Sequence, residues 1–115
     1  MKKGIGFLLV IIVAACSNNN TPFEKKGWLE KKNFLYTKRE FMVSDLMVNY
    51  KFKGMKTKQL FEMLGKPDSG DPNKFYYTIT ETLEQNIDPV YIKSLVFIVN
   101  VDSVITDYKV EEFKK

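Results

Sequence analysis

The chain has 115 residues, with 18 Lys or Arg, 14 Asp or Glu, a formal net charge of +4, a single Cys and no His. This length fits one small domain with short extensions. Without His, and with only one Cys, the chain has no Ser-His-Asp or Cys-His catalytic arrangement, no intramolecular disulfide and none of the usual zinc sites.

The first 15 residues have the pattern of a bacterial lipoprotein signal peptide. Two lysines precede an apolar run over residues 4–13, which is far shorter than the ~20 residues of a membrane-spanning helix. The run ends in Val-Ala-Ala-Cys at residues 13–16, which resembles the lipobox that precedes a lipid-modified Cys. We therefore predict a signal peptide over residues 1–15 and a lipid anchor on Cys16. The alternative is an ordinary secretory leader in which the Cys is incidental.

Basic residues concentrate in the first half of the mature chain. Residues 17–58 carry ten basic and four acidic side chains, whereas residues 59–115 carry six and ten. The basic half either faces anionic lipid headgroups beside the anchor or forms a solvated surface, and the scattered spacing of the lysines favours the second. Nucleic acid is not an expected partner of a secreted chain.

Residues 16–22 are predicted to be the lipidated Cys and a polar tether, and residues 23–115 a single domain. The domain starts with an aromatic strap, residues 23–36, which has no clear period. Its large apolar residues are Trp28, Leu29, Phe34 and Leu35. We expect the strap to pack onto the domain with Trp28 buried against a helix or the sheet. Trp28 is also a candidate partner-binding residue.

A first helix is predicted over residues 38–49. Thr37 and Glu40 stand three residues apart just before an apolar series with helical spacing, which is the capping-box pattern. The helix is expected to end before Gly54.

A second, shorter helix is predicted within residues 54–68. Leu60 and Leu64 belong to an apolar stripe that indicates a buried helix face. Gly65 provides a residue that takes positive φ without steric cost, and Pro67 prevents continuation. The helix is therefore expected to stop at Gly65.

The periodicity becomes alternating after a turn-rich segment, residues 68–73. The alternation predicts strands over residues 75–80, 91–99 and 104–110, joined by a loop at 81–89 and a turn at 100–103. Phe75, Tyr77 and Ile79 share one face of the first strand. The expected fold class is α+β, with two N-terminal helices packed on one face of a three-stranded antiparallel meander (ααβββ).

The middle strand carries apolar residues on both faces. Leu95 points to one face, whereas Val96 and Ile98 point to the other, so a second face needs cover. The strap, an oligomer partner or a binding partner are the alternatives, and the strap requires no further molecule. Val96 and Ile98 are therefore candidate partner-binding residues. In the last strand, Ile105 is expected on the solvent face.

The chain resembles a known family over residues 39–110. The residues that carry the resemblance are 42–45, Gly54, Met55, Leu60, 64–68 (Leu-Gly-Lys-Pro-Asp), Tyr77 and 95–97. They are similar to the BamE/SmpA/OmlA-like lipoproteins and to the wider group with the fold of β-lactamase inhibitor protein. Trp28 and Arg39 resemble a subgroup of small lipoproteins from Bacteroidetes-type bacteria.

The resemblance implies two helices on a three-stranded antiparallel sheet, an envelope location and a binding role without catalysis. No binding residue of BamE is transferred to this chain. The family usually has Thr or Ser at the position of Lys56, so a weaker cap is expected for the second helix.

No catalytic residue, cofactor or metal site is predicted. Asp68, Asp71 and Glu111 flank turns or the C-terminus, and no phosphate-binding glycine loop is present. Residues 102–104, Asp-Ser-Val, resemble the short O-glycosylation signal of Bacteroidetes envelope proteins. Use of that signal at Ser103 requires an exposed turn.

The leading functional hypothesis is a lipid-anchored envelope protein whose domain binds another envelope protein as a non-catalytic scaffold. The predicted location is the outer membrane, facing the periplasm, with a role in outer-membrane assembly or maintenance. The alternative is an inhibitor or ligand-sensing module that uses the second sheet face. A structural lipoprotein without a specific partner is the third hypothesis, and the sequence leaves the oligomeric state open.

Overall fold

The computed structural model describes residues 20–84 and 88–115. The predicted signal peptide, Cys16 and most of the tether lie outside the described residues. In chain order the described elements are α1 (Lys25–Leu29), β1 (Lys31–Lys32), β2 (Leu35–Tyr36), α2 (Arg39–Asn49), α3 (Thr57–Leu64), β3 (Ser69–Asp71), β4 (Lys74–Glu84), β5 (Asp88–Val99) and β6 (Ile105–Lys114). The helices precede the main sheet, as the predicted α+β class has it, but the prediction of two helices was wrong, because the short helix α1 forms within the strap.

The main sheet is an antiparallel meander of four strands in the order β3-β4-β5-β6, and the prediction of three strands was wrong. The additional strand, β3, lies where the composition predicts only a turn. Ser69 pairs with Tyr76 and Asp71 with Lys74. The turn itself needs only two residues, and the Asp71 carboxylate accepts a hydrogen bond from the Asn73 N–H at 2.8 Å. Turn-forming residues here also supply a short edge strand.

The predicted loop over residues 81–89 is also wrong, because most of it is strand. β4 continues to Glu84 and β5 begins at Asp88. In this part of the hairpin the backbone groups of the two strands pair with each other, and no apolar face is needed. The polar side chains therefore do not end the strand. Pro89 lies beside a register shift that follows Thr82, a place where a missing N–H is tolerated.

The core lies between the helices and the inner face of the sheet. The side chains of Phe75, Tyr77 and Ile79 are buried on this face, as their alternation predicts. Trp28 is also fully buried, and its ring centroid lies 6.3 Å from that of Tyr77. The expected burial of Trp28 is confirmed.

Helix α2 begins at Arg39 without the predicted capping box. Lys38 occupies the N-cap position, and no side chain in the described part of the protein caps the helix there. Thr37 lies one residue too early to be the N-cap, so the spacing of Thr37 and Glu40 does not match the helix start.

Helix α3 keeps half of a cap at its start. Lys56 is the N-cap, and a lysine side chain has no acceptor to offer the helix N–H groups. The Gln59 side-chain oxygen accepts the Lys56 N–H at 3.0 Å. At the other end, Gly65 has φ +84° and its N–H donates to the Phe61 carbonyl at 2.8 Å. The predicted stop at Gly65 is confirmed.

Ile105 is buried, so its expected place on the solvent face was wrong. Ile98 pairs with Asp107, but Val99 pairs with Ile105, which leaves Thr106 as an extra residue in β6. Such a bulge shifts the alternation of side chains by one residue. It therefore turns Ile105 toward the core.

Candidate functional site

The strap contains a β-hairpin that ends in an exposed aromatic residue. In the β1–β2 ladder, Lys32 pairs with Leu35, so only Asn33 and Phe34 form the turn, with φ 54° and 71°. Two positive φ values in a two-residue turn are typical of type I′, whose second position favours Gly. Phe34 occupies that position and is 91% exposed. It did not pack onto the domain as expected of the strap, and it holds a backbone conformation that costs a bulky residue free energy.

The base of this hairpin rests on a buried arginine. Arg39 has no exposed surface, and its Nε donates to the Trp28 carbonyl at 2.8 Å. Its Nη1 donates to Asp68 Oδ2 at 2.7 Å and to the Thr78 carbonyl at 2.8 Å. Charge-assisted bonds of this kind are strong and directional. Arg39 therefore joins α1, α2, β4 and the segment before β3.

Tyr36 stacks on the same guanidinium group. The Arg39 Cζ atom lies 3.3 Å from the Tyr36 ring centroid and 4.5 Å from the Trp28 ring centroid. The Tyr36 hydroxyl donates to Asp68 Oδ1 at 2.7 Å. Burial, followed by this hydrogen bond, raises the pKa of Tyr36 above its usual value. The second strand of the hairpin is thereby held in place while its tip projects.

One edge of β4 opens beside the hairpin. The Thr78 N–H donates to Asp68 Oδ2 at 2.9 Å, and its carbonyl accepts from Arg39. The side chains of Asp68 and Arg39 thus occupy the position that a neighbouring strand would take. Beyond Thr78, no strand among the described residues pairs with this edge of β4. The unpaired groups of an edge strand can pair with another chain.

A hollow of about 220 Å³ separates the hairpin from the β4 edge. Its walls are formed by Lys31, Phe34, Leu35, Tyr36, Asp68, Thr78, Thr80 and Glu81. We call this set the hairpin surface. It combines an exposed aromatic tip, a polar hollow and an open strand edge on a buried support.

No family model matches the chain, and comparison with curated proteins and with solved structures likewise gives no match. The similarity to BamE-like lipoproteins therefore stays a prediction. No helix in the described ranges is long and apolar enough to cross a membrane. Within the same ranges, no three acidic or Cys side chains come together as metal ligands.

The predicted partner-binding residues lie in two different places. Trp28 is enclosed on the inner side of the sheet, and Val96 is fully buried on the outer side. Ile98 is partly exposed on that outer face. Lys74 and Tyr76 of β4 and Lys109 of β6 pair with the residues of this face. A partner approaching the outer face would meet these longer side chains before Val96.

The strap does not cover the outer face, contrary to the simplest expectation. Its Trp28 ring lies on the inner side, 6.0 Å from Phe23 and 6.3 Å from Tyr77. Cys16 lies outside the described residues. Ser103 is exposed in the turn before β6, which is the placement that glycosylation would require.

The hairpin surface was not predicted from the sequence. Residues 31–36 lack the Asn-Gly or Asp-Gly pair that identifies most two-residue hairpins. The available signal was Asn33 between two short β-compatible pairs, because Asn tolerates positive φ. The role of Arg39 had no local signal, since its partners lie 11, 29 and 39 residues away.

Proposed function

We propose that this protein is an envelope lipoprotein, anchored by lipid on Cys16, whose domain binds another envelope protein without catalysis. The lipobox-like residues 13–16 support the anchor. The observation that carries the binding role is the exposed Phe34 at the tip of a firmly supported hairpin.

Phe34 is suited to be the anchor of a protein interface. Aromatic residues supply a large share of binding energy when a partner buries them in a pocket. A Gly would adopt this turn conformation with less strain than Phe34, whose side chain is 91% exposed in the isolated domain. The presence of an exposed Phe at this position is explained if a partner buries the ring.

The open β4 edge supplies a second type of contact. An extended segment of a partner can pair with unpaired backbone groups of such an edge, while side-chain pockets supply specificity. The hollow beside Thr80 and Glu81 is placed to receive one partner side chain. Arg39 and the residues that it contacts already hold the contact groups in position. This lowers the conformational entropy that is lost on binding.

The proposed location is the periplasmic side of the outer membrane, with a role in assembly or maintenance of that membrane. Support comes from the predicted leader and from the resemblance to BamE-like lipoproteins. The test of the anchor is labelling with radioactive palmitate in a bacterium that processes lipoproteins. We expect label on the wild type and none on Cys16→Ala, and equally poor labelling of both would contradict the anchor.

The test of protein binding is photo-crosslinking in the native host. A photoreactive phenylalanine analogue is placed at position 34 or at Val101, which is 94% exposed in a turn and provides the control. We expect a discrete cross-linked protein from position 34 and none from position 101. The same pattern of products from both positions would contradict a specific hairpin surface.

A further inference from the structure

A groove crosses the outer face of the main sheet, away from the buried side of the hairpin. Its volume is about 260 Å³, and its walls are Ser69, Tyr76, Thr78, Ile92, Ser94, Glu111 and Phe113. The floor is one row of paired residues, in which Thr78 faces Ser94 and Ser94 faces Glu111. Short side chains on the floor between larger neighbours create a trough that runs across the strands. We call it the outer groove.

Three hydroxyl groups in this groove are available to a ligand. The side chains of Ser69, Thr78 and Ser94 make no hydrogen bond to any other group in the described part of the chain. Ser94 is about nine-tenths buried. Each hydroxyl can both donate and accept a hydrogen bond. An apolar ligand would displace water from these hydroxyls without replacing its hydrogen bonds, which is unfavourable.

Two aromatic rings stand at the sides of the groove. Tyr76 comes from β4, and Phe113, which is 54% exposed, comes from β6. Ile92 of β5 lies opposite Phe113 in the ladder. The negative face of an aromatic ring attracts the weakly positive C–H groups of a flat ligand. A ligand with both C–H faces and hydroxyl groups would satisfy the rings and the floor together.

The charges around the groove do not favour an ionic ligand. Among the described residues no Lys or Arg lines the groove itself, although Lys74 Nζ lies 5.4 Å from the Tyr76 ring centroid, and the carboxylate in the lining is that of Glu111. Lys109 and Lys74 already lie 3.1 Å and 3.9 Å from Glu111 Oε2. An anion would have to compete with this carboxylate for the two lysines, and a cation would find a carboxylate that is already paired.

A peptide main chain is also a poor match. The backbone groups beneath the groove are used by the ladder of β5 with β4 and β6 at Ser94 and Ile92. An extended peptide needs free N–H and C=O groups of that kind. The groove instead presents side-chain hydroxyls.

We propose that the outer groove binds a short, uncharged saccharide. The sugar hydroxyls would pair with Ser69, Thr78 and Ser94, and its C–H faces would lie against Tyr76 and Phe113. The volume is just below the roughly 300 Å³ of typical small-molecule pockets, which suits a short sugar rather than a long chain. Thr78 borders both this groove and the hairpin hollow, but Tyr76, Ser94 and Phe113 line the groove alone, so neither proposal depends on the other.

The test is a titration of the purified full-length protein, labelled with ¹⁵N, in micelles of a detergent without a sugar headgroup. The probes are cellobiose, maltose and N,N′-diacetylchitobiose, with trialanine as the peptide comparison. We expect at least one disaccharide to cause saturable shifts of the amide signals of Thr78, Ser94 and Phe113. The absence of saturation for all three disaccharides, or equal shifts with trialanine, would overturn the proposal.

Two variants and one matched control locate the binding. Phe113→Ala removes an aromatic contact and is expected to weaken binding of the saccharide by about threefold to tenfold. Phe34→Ala makes the same chemical change at the hairpin surface and should leave the affinity unchanged. Thr78→Val keeps the side-chain shape and removes the hydroxyl, so it should weaken binding of the saccharide by about twofold to tenfold. If Phe113→Ala does not fold, this second variant tests the proposal. Equal affinity of Thr78→Val and the wild type would contradict the proposed contacts.

Discussion

Arg39 Nη1 and Asp68 Oδ2 lie 2.7 Å apart, although 29 residues separate them in the chain. The arginine side chain is almost completely buried, whereas the aspartate retains 22% of its side-chain exposure. The pair connects the start of α2 to the segment before β3. Because Asp68 also binds Tyr36 and Thr78, the geometry of the hairpin surface depends on this single carboxylate.

Asp68→Ala should lower the free energy of unfolding by about 3 kcal/mol. Removal of one partner of a buried ion pair leaves the other charge without compensation, which is the costly way to break such a pair. Urea unfolding at neutral pH measures the change.

Lys53→Ala is the control for this prediction. Lys53 lies 4.0 Å from Asp107, and both side chains are more than half exposed. Removal of an exposed pair should change stability by no more than about 0.5 kcal/mol. Similar losses in the two variants would contradict the importance of burial for Arg39.

Phe34→Gly should stabilise the isolated domain while weakening its binding to a partner. A left-handed conformation costs a non-glycine residue roughly 1–2 kcal/mol, and the added flexibility of Gly offsets about 0.5–1 kcal/mol of that gain. The expected net gain is about 0.5–1 kcal/mol, measured by urea unfolding. A destabilised Phe34→Gly variant would show that the ring supports the fold rather than a partner.

Gly70→Ala should destabilise the domain much more than Gly54→Ala. Both glycines have positive φ, 126° and 92°, so both substitutions strain the backbone by about 1 kcal/mol. A Cβ atom at Gly70 would also collide with the carbonyl oxygen of Lys74, whereas one at Gly54 would meet no atom of the described residues within 4 Å. Thermal unfolding of the two variants separates the effects, and equal melting temperatures would contradict the close pairing of β3 with β4.

The stability of the domain should fall as the pH rises above about 10, the ordinary pKa of tyrosine. Burial raises the pKa of Tyr77 as well as that of Tyr36, so the folded state holds these protons more tightly than the unfolded state. The contribution of these tyrosines to the free energy of unfolding is fully present below their pKa in the unfolded state. It is lost as the pH rises through their pKa values in the folded state.

Tyr36→Phe tests how much of this loss of stability at high pH comes from one tyrosine. The variant removes one titrating group and its hydrogen bond to Asp68. The free energy of unfolding should decline less between pH 8 and pH 11 than it does in the wild type. An unchanged decline would show that Tyr36 titrates alike in both states.

The elements that could be predicted are those whose signal is local. The stripe through Leu60 and Leu64 and the stop at Gly65 correctly indicated α3. The alternation of Phe75, Tyr77 and Ile79 correctly indicated the inner face of β4. Each signal depends on a repeat or a backbone preference within one element, so no distant residue was needed.

The errors came from places where pairing partners decide the outcome. β3 and the end of β4 over residues 81–84 are mostly polar, and pairing of their backbone groups makes them strands. The bulge at Thr106 reversed the side of Ile105, because one extra residue inverts an alternating pattern. Composition alone does not reveal such register changes.

The sequence by itself determined that helices precede the main sheet, the inner faces of α3 and β4, and the absence of histidine chemistry. Tertiary structure decided that Phe34 projects, that Arg39 is buried among Trp28, Tyr36 and Asp68, and that short side chains of three strands align into the outer groove. The physical reason is distance along the chain. Periodicity reports the contacts within one element, whereas both candidate surfaces arise from side chains that only folding brings together.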